Sequence, residues 1–246
     1  MTAEASTDLP GQTPATTLAP DALRPALPLG PGSPDEVRLI EQKRRHHLAL
    51  PMVHADRQPF RFDLRGAMHY FNEFRKDKEQ TRYVFHVFEC LPWVKVGEAA
   101  AAFLATPHGQ RVFETEPYLP DILDDHDALR RLPRGSFAHD YCDYMEAENL
   151  SAAGLVAEYE EFRGARARLD DKVEWYIDRL RDTHDFLHIL TGFGRDALGE
   201  QCVLAFVCKQ RQSPGHWFLG HAGAAVVRMQ SSWRAPVWHA VREARA

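Results

Sequence analysis

An all-α fold is predicted for this chain, as a single domain of roughly eight to ten helices. Apolar residues recur at helical spacing through most of the sequence after residue 35, and glycine and proline punctuate these segments. Two-residue alternation flanked by turns is scarce, and no convincing pair of strands is present. With 246 residues, the chain is long enough to bury a sizeable core.

The composition is that of an ordinary globular protein, with an apolar share of 44% and a charged share of 26%. The net charge of −5 gives no reason to expect nucleic-acid binding. The four cysteines form no Cys-x-x-Cys pair and follow no secretory signal, so we expect buried thiols in a reducing, cytoplasmic compartment. No apolar run reaches the roughly 18 residues that span a bilayer, so we expect no transmembrane helix.

The first 34 residues differ from the rest of the chain. Residues 1–34 are rich in Pro, Thr, Ala and Gly and contain few large apolar residues, so a disordered tail is expected. The tail carries three acidic residues against one arginine, whereas a mitochondrial presequence is rich in arginine and poor in acidic residues. No presequence is therefore evident. Ser33-Pro34-Asp35-Glu36 is a capping pattern that begins an all-helical domain over residues 35–246.

Apolar residues at helical spacing predict three further helices, over residues 63–75, 79–91 and 99–104. We expect His46 and His47 to be solvated, because their helix is strongly polar, and Tyr141 and Tyr144 to belong to the core. Residues 212–227 have no formal charge and contain glycines and a proline. They could lie on a membrane surface, but a loop followed by a buried helix is favoured.

A long amphipathic helix is predicted over residues 171–190. Residues four apart share a helix face, so His184 and His188 present two imidazoles side by side, with Asp185 near the same face. Thr191-Gly192-Phe193-Gly194 then supplies glycine for a left-handed helix end. An antiparallel second helix could bring Glu200 back to the histidines, which predicts a divalent metal site.

The specificity of this pattern comes from its combination of residues. Chance alone gives roughly 0.6 His-x-x-x-His pairs in this composition, so the pair could also be an ordinary helix face. Asp185 stands where metallopeptidases of the His-Glu-x-x-His type have their general base, and the shorter side chain weakens a peptidase interpretation. Two histidines and a carboxylate also match the facial ligand set of non-haem iron oxygenases. Zinc is the first candidate, with iron, manganese or cobalt as alternatives.

Apolar residues flank the motif, which favours an apolar substrate beside the metal, although a helix core explains most of them equally well. They are Phe186, Leu187, Ile189, Leu190, Phe193, Leu204, Phe206 and Val207.

Three separated segments resemble one known family. HDFLHILTGFGRDALGE (184–200), FLATPHGQRVFETEPYL (103–119) and LRRLPRGSFAHDYCDYM (129–145) are similar, in order and spacing, to motifs of the fourth Coq protein of coenzyme Q (ubiquinone) biosynthesis. The resemblance covers residues 100–210. It implies an all-helical, commonly homodimeric protein that attaches peripherally to the inner face of a membrane. It also implies that the protein binds polyprenyl lipid quinone precursors and acts with other ubiquinone biosynthesis proteins.

The implied reaction is oxidative decarboxylation of a polyprenyl-hydroxybenzoate, in which a hydroxyl group replaces the carboxyl group at ring carbon 1. The family's metal signature falls on His184, Asp185, His188 and Glu200, which are then both metal ligands and catalytic residues. Asp185 could instead orient His184 or relay a proton. A non-catalytic scaffold that binds polyprenyl lipid and organises the other enzymes is the alternative.

Four further residues are candidates for binding the substrate. They are Arg134, His139, Phe186 and Phe193. For Arg134 and His139, a surface charge without function is the competing interpretation.

Overall fold

The computed structural model describes residues 34–77, 80–166, 168–232 and 235–246, and within these ranges it contains helices and no strand. The fourteen helices run in this order: α1 (Pro34–Leu48), α2 (Leu64–Lys76), α3 (Arg82–Cys90), α4 (Val96–Leu104), α5 (Pro107–Thr115), α6 (Leu119–Leu123), α7 (His126–Leu129), α8 (Phe137–Ala147), α9 (Ala152–Arg163), α10 (Lys172–Asp182), α11 (His184–Thr191), α12 (Ala197–Arg211), α13 (Pro214–Gln230) and α14 (Val237–Arg245). The all-α prediction is confirmed. The predicted number of helices, roughly eight to ten, is too low.

Two features explain much of the difference between the observed and the predicted number of helices. Prolines in the middle of the chain begin new helices instead of only ending old ones: Pro107 lies in the first turn of α5, and Pro120 in the first turn of α6. The helix predicted over residues 171–190 is in fact two helices, because it breaks at Thr183. The Thr183 hydroxyl donates a hydrogen bond to the Arg179 carbonyl, and such bonds compete with the helical pattern.

The chain divides into two units, residues 1–43 and residues 44–246. Within the first, the described residues belong to α1, and the expected disordered tail, residues 1–34, lies almost wholly outside the described part. The core and the candidate site belong to the second unit. There, α12 packs against α13 and α14, and α11 packs against α8 and α12.

The segment at 212–227 is confirmed as a buried helix. It forms most of α13, whose Phe218 and Leu219 join Phe71 and Val87 in a cluster between α2, α3 and α13. Three of the four free cysteines are buried, as expected, and Cys90 is half-buried. None of the helices in the described ranges is long and apolar enough to cross a membrane.

One prediction on α1 is wrong. His46 is exposed, but His47 is half-buried, with its ring 4.1 Å from that of Phe113. The His47 Nε2–H donates to the Phe113 carbonyl at 2.7 Å, and burial lowers the pKa of the imidazole. The polar sequence of α1 did not reveal this packing, because the partners are more than sixty residues away.

A buried ion pair holds the start of α10. Asp171 is 1% exposed and caps α10 by accepting a hydrogen bond from the Glu174 amide. Its carboxylate also accepts from the His54 amide at 2.8 Å and from two nitrogens of Arg57 at 2.8 and 2.7 Å. These contacts attach α10, the helix that leads into the candidate metal motif, to residues 54–57.

Candidate metal centre

The turn between α11 and α12 positions the metal motif. α11 ends at Gly192, which has a left-handed conformation with φ 72° and donates its amide to the His188 carbonyl. α12 begins at Asp196, whose side chain accepts hydrogen bonds from the Leu198 and Gly199 amides. The predicted return of the chain is therefore confirmed, and it places the first turn of α12 beside α11.

Three side chains converge across this turn. The Nε2 atoms of His184 and His188 are 3.4 Å apart. Glu200 places one carboxylate oxygen 3.5 Å from His188 Nε2 and the other 3.9 Å from His184 Nε2. His184, His188 and Glu200 form a group that could hold a metal ion, with one ligand atom from each within 4.8 Å of the others.

The hydrogen bond at the far side of His188 determines which nitrogen can bind a metal. His188 Nδ1 lies 2.9 Å from the Phe193 carbonyl oxygen. A carbonyl only accepts hydrogen bonds, so Nδ1 carries a proton, and in the neutral ring that a metal ligand requires, the lone pair of Nε2 is directed at His184 and Glu200. The His188 ring also stacks on Tyr144, with centroids 6.0 Å apart and an interplanar angle of 16°. The ring is held in the orientation that a ligand requires.

The spacing of the donors fits a divalent ion. Two donors of a tetrahedral zinc site, each about 2.0–2.1 Å from the metal, lie about 3.3–3.5 Å apart. The separations from His188 Nε2, 3.4 and 3.5 Å, match this value. Two imidazoles and a carboxylate accommodate zinc, iron, manganese or cobalt equally by donor type, so the geometry supports a metal without naming it.

Two members of the group can be reached by solvent. The side chains of His184 and Glu200 are 35% and 32% accessible, whereas that of His188 is 1% accessible. Burial nevertheless lowers the pKa of His184 to about 4, with further contributions from His188 and Arg211. Burial also raises the pKa of Glu200. The site is therefore partly open to solvent on the side of His184 and Glu200 and closed on the side of His188.

Asp185 lies outside the convergent group. Burial raises the pKa of its carboxyl, and the charge of Asp185 contributes to the raised pKa values of Tyr141 and Tyr144 on α8 after burial itself. The assignment of Asp185 as a metal ligand stays a prediction, and its position beside His188 keeps the proton-relay role open.

The other predicted site residues lie in different parts of the structure. Arg134 is exposed in the segment before α8, and His139 donates from Nε2 to the Leu132 carbonyl. Phe186 packs edge-to-face on Phe137 and Tyr141, with centroids 5.0 and 5.3 Å away. Phe193 packs beside the α12–α14 cluster and supplies the carbonyl that orients His188. Their roles in substrate binding stay predictions.

Sequence reasoning did not single out Arg211 and His216, whose electrostatic interactions extend to His184. Burial lowers the pKa of His216 to about 3, with smaller contributions from Arg211 and His184. Helical spacing could have found Arg211, because it follows Glu200 by eleven residues, which is about three turns. His216 belongs to another helix and gave no comparable signal.

Gly192, which ends α11, and Gly199, in the first turn of α12, allow a matched test of how strictly the candidate metal site requires this turn geometry. A Cβ atom on Gly199 would lie 2.0 Å from the Gly194 carbonyl oxygen, whereas one on Gly192 would meet nothing within 4 Å. We expect Gly199→Ala to move the start of α12, cost about 3 kcal/mol of folding free energy and weaken metal binding. Gly192→Ala should cost only about 1–2 kcal/mol, through its left-handed backbone. Denaturant unfolding and metal titration of both variants check this, and equal effects would contradict it.

Comparison with known proteins places these observations in a family. The model of the family "Coenzyme Q (ubiquinone) biosynthesis protein Coq4" matches residues 77–243. The mitochondrial ubiquinone biosynthesis protein COQ4 homolog of Bos taurus is 29% identical over 109 residues, which is 44% of this chain and 38% of that protein. The COQ4 proteins of Eremothecium gossypii and Arthroderma otae, also named mitochondrial, are 28% and 27% identical over 50% and 56% of this chain.

The alignments with these relatives cover 38%, 39% and 48% of their own lengths, so the chain spans less than half of each. No solved structure matches the chain. The family match extends beyond residues 100–210, where the motifs resemble the family, and it includes all three convergent side chains. Because the family model matches more than half of the sequence, the chain belongs to the Coq4 family of coenzyme Q (ubiquinone) biosynthesis proteins.

Proposed function

We propose that this protein is a metal-dependent enzyme of ubiquinone biosynthesis that carries out oxidative decarboxylation of a polyprenyl-hydroxybenzoate. The observation that carries the proposal is the convergence of His184, His188 and Glu200, with the side chains of His184 and Glu200 accessible to solvent. A purely structural metal site is normally closed by four protein ligands, whereas a catalytic site keeps a position open for substrate. Three convergent donors, two of them accessible, favour the second kind.

In the proposed reaction, the carboxyl group leaves the ring as carbon dioxide and a hydroxyl group takes its place. This is a two-electron oxidation that takes the new hydroxyl oxygen from one water molecule and releases two protons. We propose molecular oxygen as the oxidant, which accepts the two electrons with these two protons and leaves as hydrogen peroxide. A phenol ortho or para to the carboxylate, once oxidised, stabilises the charge that loss of carbon dioxide leaves on the ring. A divalent metal at the site supplies Lewis acidity towards an anionic oxygen of the head group.

The protein's own residues contribute orientation and proton transfer. The hydrogen bond to Phe193 and the stacking on Tyr144 hold His188 fixed, so its lone pair needs no reorganisation. Burial raises the pKa of Asp185, which favours its protonated form compared with an exposed aspartate. Asp185 lies next to His184 in sequence and can relay a proton at the metal site.

The partners follow from the same proposal. The substrate is a polyprenyl lipid, so the protein must reach a membrane surface, and we propose peripheral attachment. Homodimer formation and association with other ubiquinone biosynthesis proteins are further parts of the proposal. The curated relatives are named mitochondrial. The compartment of this chain is best tested by locating the full-length protein in its own cell.

A complementation experiment tests the chemistry. In cells that lack the gene, we expect Glu200→Gln and His184→Ala to leave ubiquinone at less than about 1% of the wild-type level, because the metal loses a ligand. A carboxylated polyprenylphenol should accumulate in the lipid extract. The matched controls are Glu243→Gln and His239→Ala, since His239 and Glu243 form an exposed pair at 3.2 Å on α14. Both controls should restore ubiquinone fully.

The same experiment evaluates the alternative, a scaffold that binds polyprenyl lipid without catalysing a reaction. If Glu200→Gln and His184→Ala accumulate as folded proteins, lose their metal and still restore ubiquinone, the catalytic proposal is wrong and the scaffold is favoured. Protein levels must be measured alongside the lipids, because a variant that fails to fold would also lack ubiquinone.

A further inference from the structure

A cluster of exposed apolar side chains lies just before α2 and in its first turns. Fourteen large apolar side chains are exposed in the described part of the chain, and four of them fall within the short segment Phe60–Met68. They are Phe60, Phe62, Leu64 and Met68, which are 40%, 59%, 61% and 45% exposed. Single exposed apolar residues are normal, whereas a contiguous group of them marks an interaction surface.

The hydrophobic core does not need these side chains. α2 already contributes Ala67 and Phe71 to the cluster that it shares with α3 and α13, and both residues are buried there. A surface helix normally exposes polar residues once its apolar face is buried. Leu64 and Met68, four residues apart, instead form an adjacent apolar strip that stays exposed.

A distant part of the chain extends this apolar surface. Trp217, in the first turn of α13, is 50% exposed and lines a groove of about 380 Å³ together with Leu64. The buried residues Leu91 and Phe218 also line the groove, so its wall is continuous with the core. Arg245 is the one charged residue among the described residues that line it.

Positive charge accompanies the apolar side chains. Arg61 and Arg65 are exposed between them, and Arg75 is exposed near the other end of α2. Each helical residue turns the chain by about 100°, so Arg75 lies within about 40° of Leu64 and Met68 around the helix axis. Two apolar residues and an arginine therefore follow one side of α2.

The acidic residues of this region are directed elsewhere. Asp63 caps α2, and its carboxylate accepts a hydrogen bond from the Gly66 amide. Glu73, the acidic residue within α2, lies on the opposite side of the helix from Leu64 and pairs with Lys76 at 2.6 Å. The surface is thus apolar and basic, although the chain as a whole has a net charge of −5.

We propose that this surface, formed by Phe60–Met68, Arg75 and Trp217, docks the protein on a bilayer that contains anionic lipids. The proposal deepens the peripheral attachment included in the proposed function, and it rests on that function in this respect. Aromatic and aliphatic side chains insert at the boundary between head groups and acyl chains, and tryptophan favours the level of the head groups. Each arginine near an anionic bilayer strengthens binding about fivefold. Apolar side chains with arginines between them have this composition.

Co-sedimentation of the full-length, metal-containing protein with vesicles tests the role of charge. The vesicles are uncharged phosphatidylcholine and an equal mixture of phosphatidylcholine with anionic phosphatidylglycerol. We expect Arg61→Gln/Arg65→Gln to weaken binding to the mixed vesicles about tenfold or more, and binding to the uncharged vesicles less than about twofold. Arg111→Gln/Arg131→Gln makes the same charge change at exposed arginines on α5 and after α7, and it should leave binding within about twofold because salt screens distant charges.

The apolar contribution has its own variants. Phe62→Ser/Leu64→Ser should weaken binding to both kinds of vesicle about tenfold or more. Met229→Ser, at a methionine that is 72% exposed in the last turn of α13, should bind as wild type does. Vesicles with brominated acyl chains should quench tryptophan fluorescence, and Trp217→Phe should lose most of this quenching. Trp238→Phe, at a tryptophan that is 43% exposed on α14, should keep it.

Several results would overturn the proposal. Absence of wild-type binding to the mixed vesicles would do so, as would an equal effect of Met229→Ser and Phe62→Ser/Leu64→Ser. If wild type ignores vesicles and Phe62→Ser/Leu64→Ser converts a dimer into a monomer in analytical ultracentrifugation, the surface is an interface between copies of this chain. A clear fall in the Tm of both double variants would assign the cluster to the fold, because exposed side chains that only bind lipid leave the Tm nearly unchanged.

The vesicle measurements are independent of the proposed chemistry. Glu200→Gln should bind vesicles as wild type does, since Glu200 belongs to the candidate metal centre and not to the docking surface. Because none of these measurements requires turnover, their failure leaves the complementation result for Glu200→Gln intact. Failure of the complementation result equally leaves the vesicle data intact.

Discussion

At the proposed metal site, His188→Ala is expected to lower the affinity for a divalent metal more than about 100-fold. Changes in the residues that merely orient metal ligands already cost about 10–100-fold in affinity, and in the proposed site His188 is itself a ligand whose orientation is held on two sides. Its Nδ1–H donates to the Phe193 carbonyl, its ring stacks on Tyr144, and its side chain is 1% accessible. A methyl group at this position can replace none of these contacts.

Metal content after dialysis and a competition titration with a chelator provide the measurement. The side chain of His184 is 35% accessible, so His184→Ala should lose the metal with less damage to the core than His188→Ala. His239→Ala is the control, because His239 is an exposed histidine of α14 and should keep one full equivalent of metal. Retention of a full equivalent with unchanged affinity in both His184→Ala and His188→Ala would refute the metal centre.

Asp171→Ala is expected to cost about 3 kcal/mol of folding free energy, because it removes the buried carboxylate that accepts two hydrogen bonds from Arg57 and leaves that guanidinium with Glu174 as its remaining partner. The Asp171 side chain is 0% exposed, and that of Arg57 is 14% exposed. The substitution also removes the N-cap of α10, which is worth about 0.5–2 kcal/mol. Loss of this attachment should loosen α10 and, through Thr183, the start of the metal-binding helix α11.

The pH dependence of the Asp171 contribution has a definite sign. Burial opposes ionisation of Asp171, but hydrogen bonds from Arg57, His54 and Glu174 outweigh it and hold the pKa of the carboxyl below its ordinary value. The stabilisation is therefore complete above the unfolded-state pKa of about 3.9 and is lost as the pH falls through the lower folded-state pKa. The difference between wild type and Asp171→Ala should shrink only below about pH 4.

Chemical denaturation at several pH values checks both statements. Asp170→Ala is the matched control, since the neighbouring Asp170 is 63% exposed and pairs only with the exposed His46 at 3.4 Å. It should cost less than about 1 kcal/mol. A loss of similar size for both variants would show that the buried ion pair does not carry the stability assigned to it.

Local patterns predicted most of the secondary structure and the elements of the candidate site. Apolar spacing predicted helices where α2 and α3 are found, and the glycine turn before Asp196 was predicted together with the return of Glu200. The errors have local causes too. The break at Thr183 depends on one hydroxyl that bonds to the backbone, while the apolar spacing continues through it and predicts one helix.

These local patterns did not predict contacts between residues that are far apart in the sequence. His47 has a polar neighbourhood in sequence, but its ring packs against Phe113 and Trp175. Arg211 is the last residue of α12 and has the sequence of an ordinary exposed helix end, but the packed structure leaves it only partly exposed.

The amino-acid sequence by itself determined the all-α class, the two imidazoles on one helix face and the membership of a family through spaced motifs, because periodicity and spacing are local properties of the chain. The tertiary structure alone decided which donors converge: it joined Glu200 to His184 and His188 and left Asp185 outside this group. It also decided that Arg211 has no counter-ion among the described residues. Convergence, burial and charge pairing depend on how helices pack across long separations in sequence, and no local pattern encodes that packing.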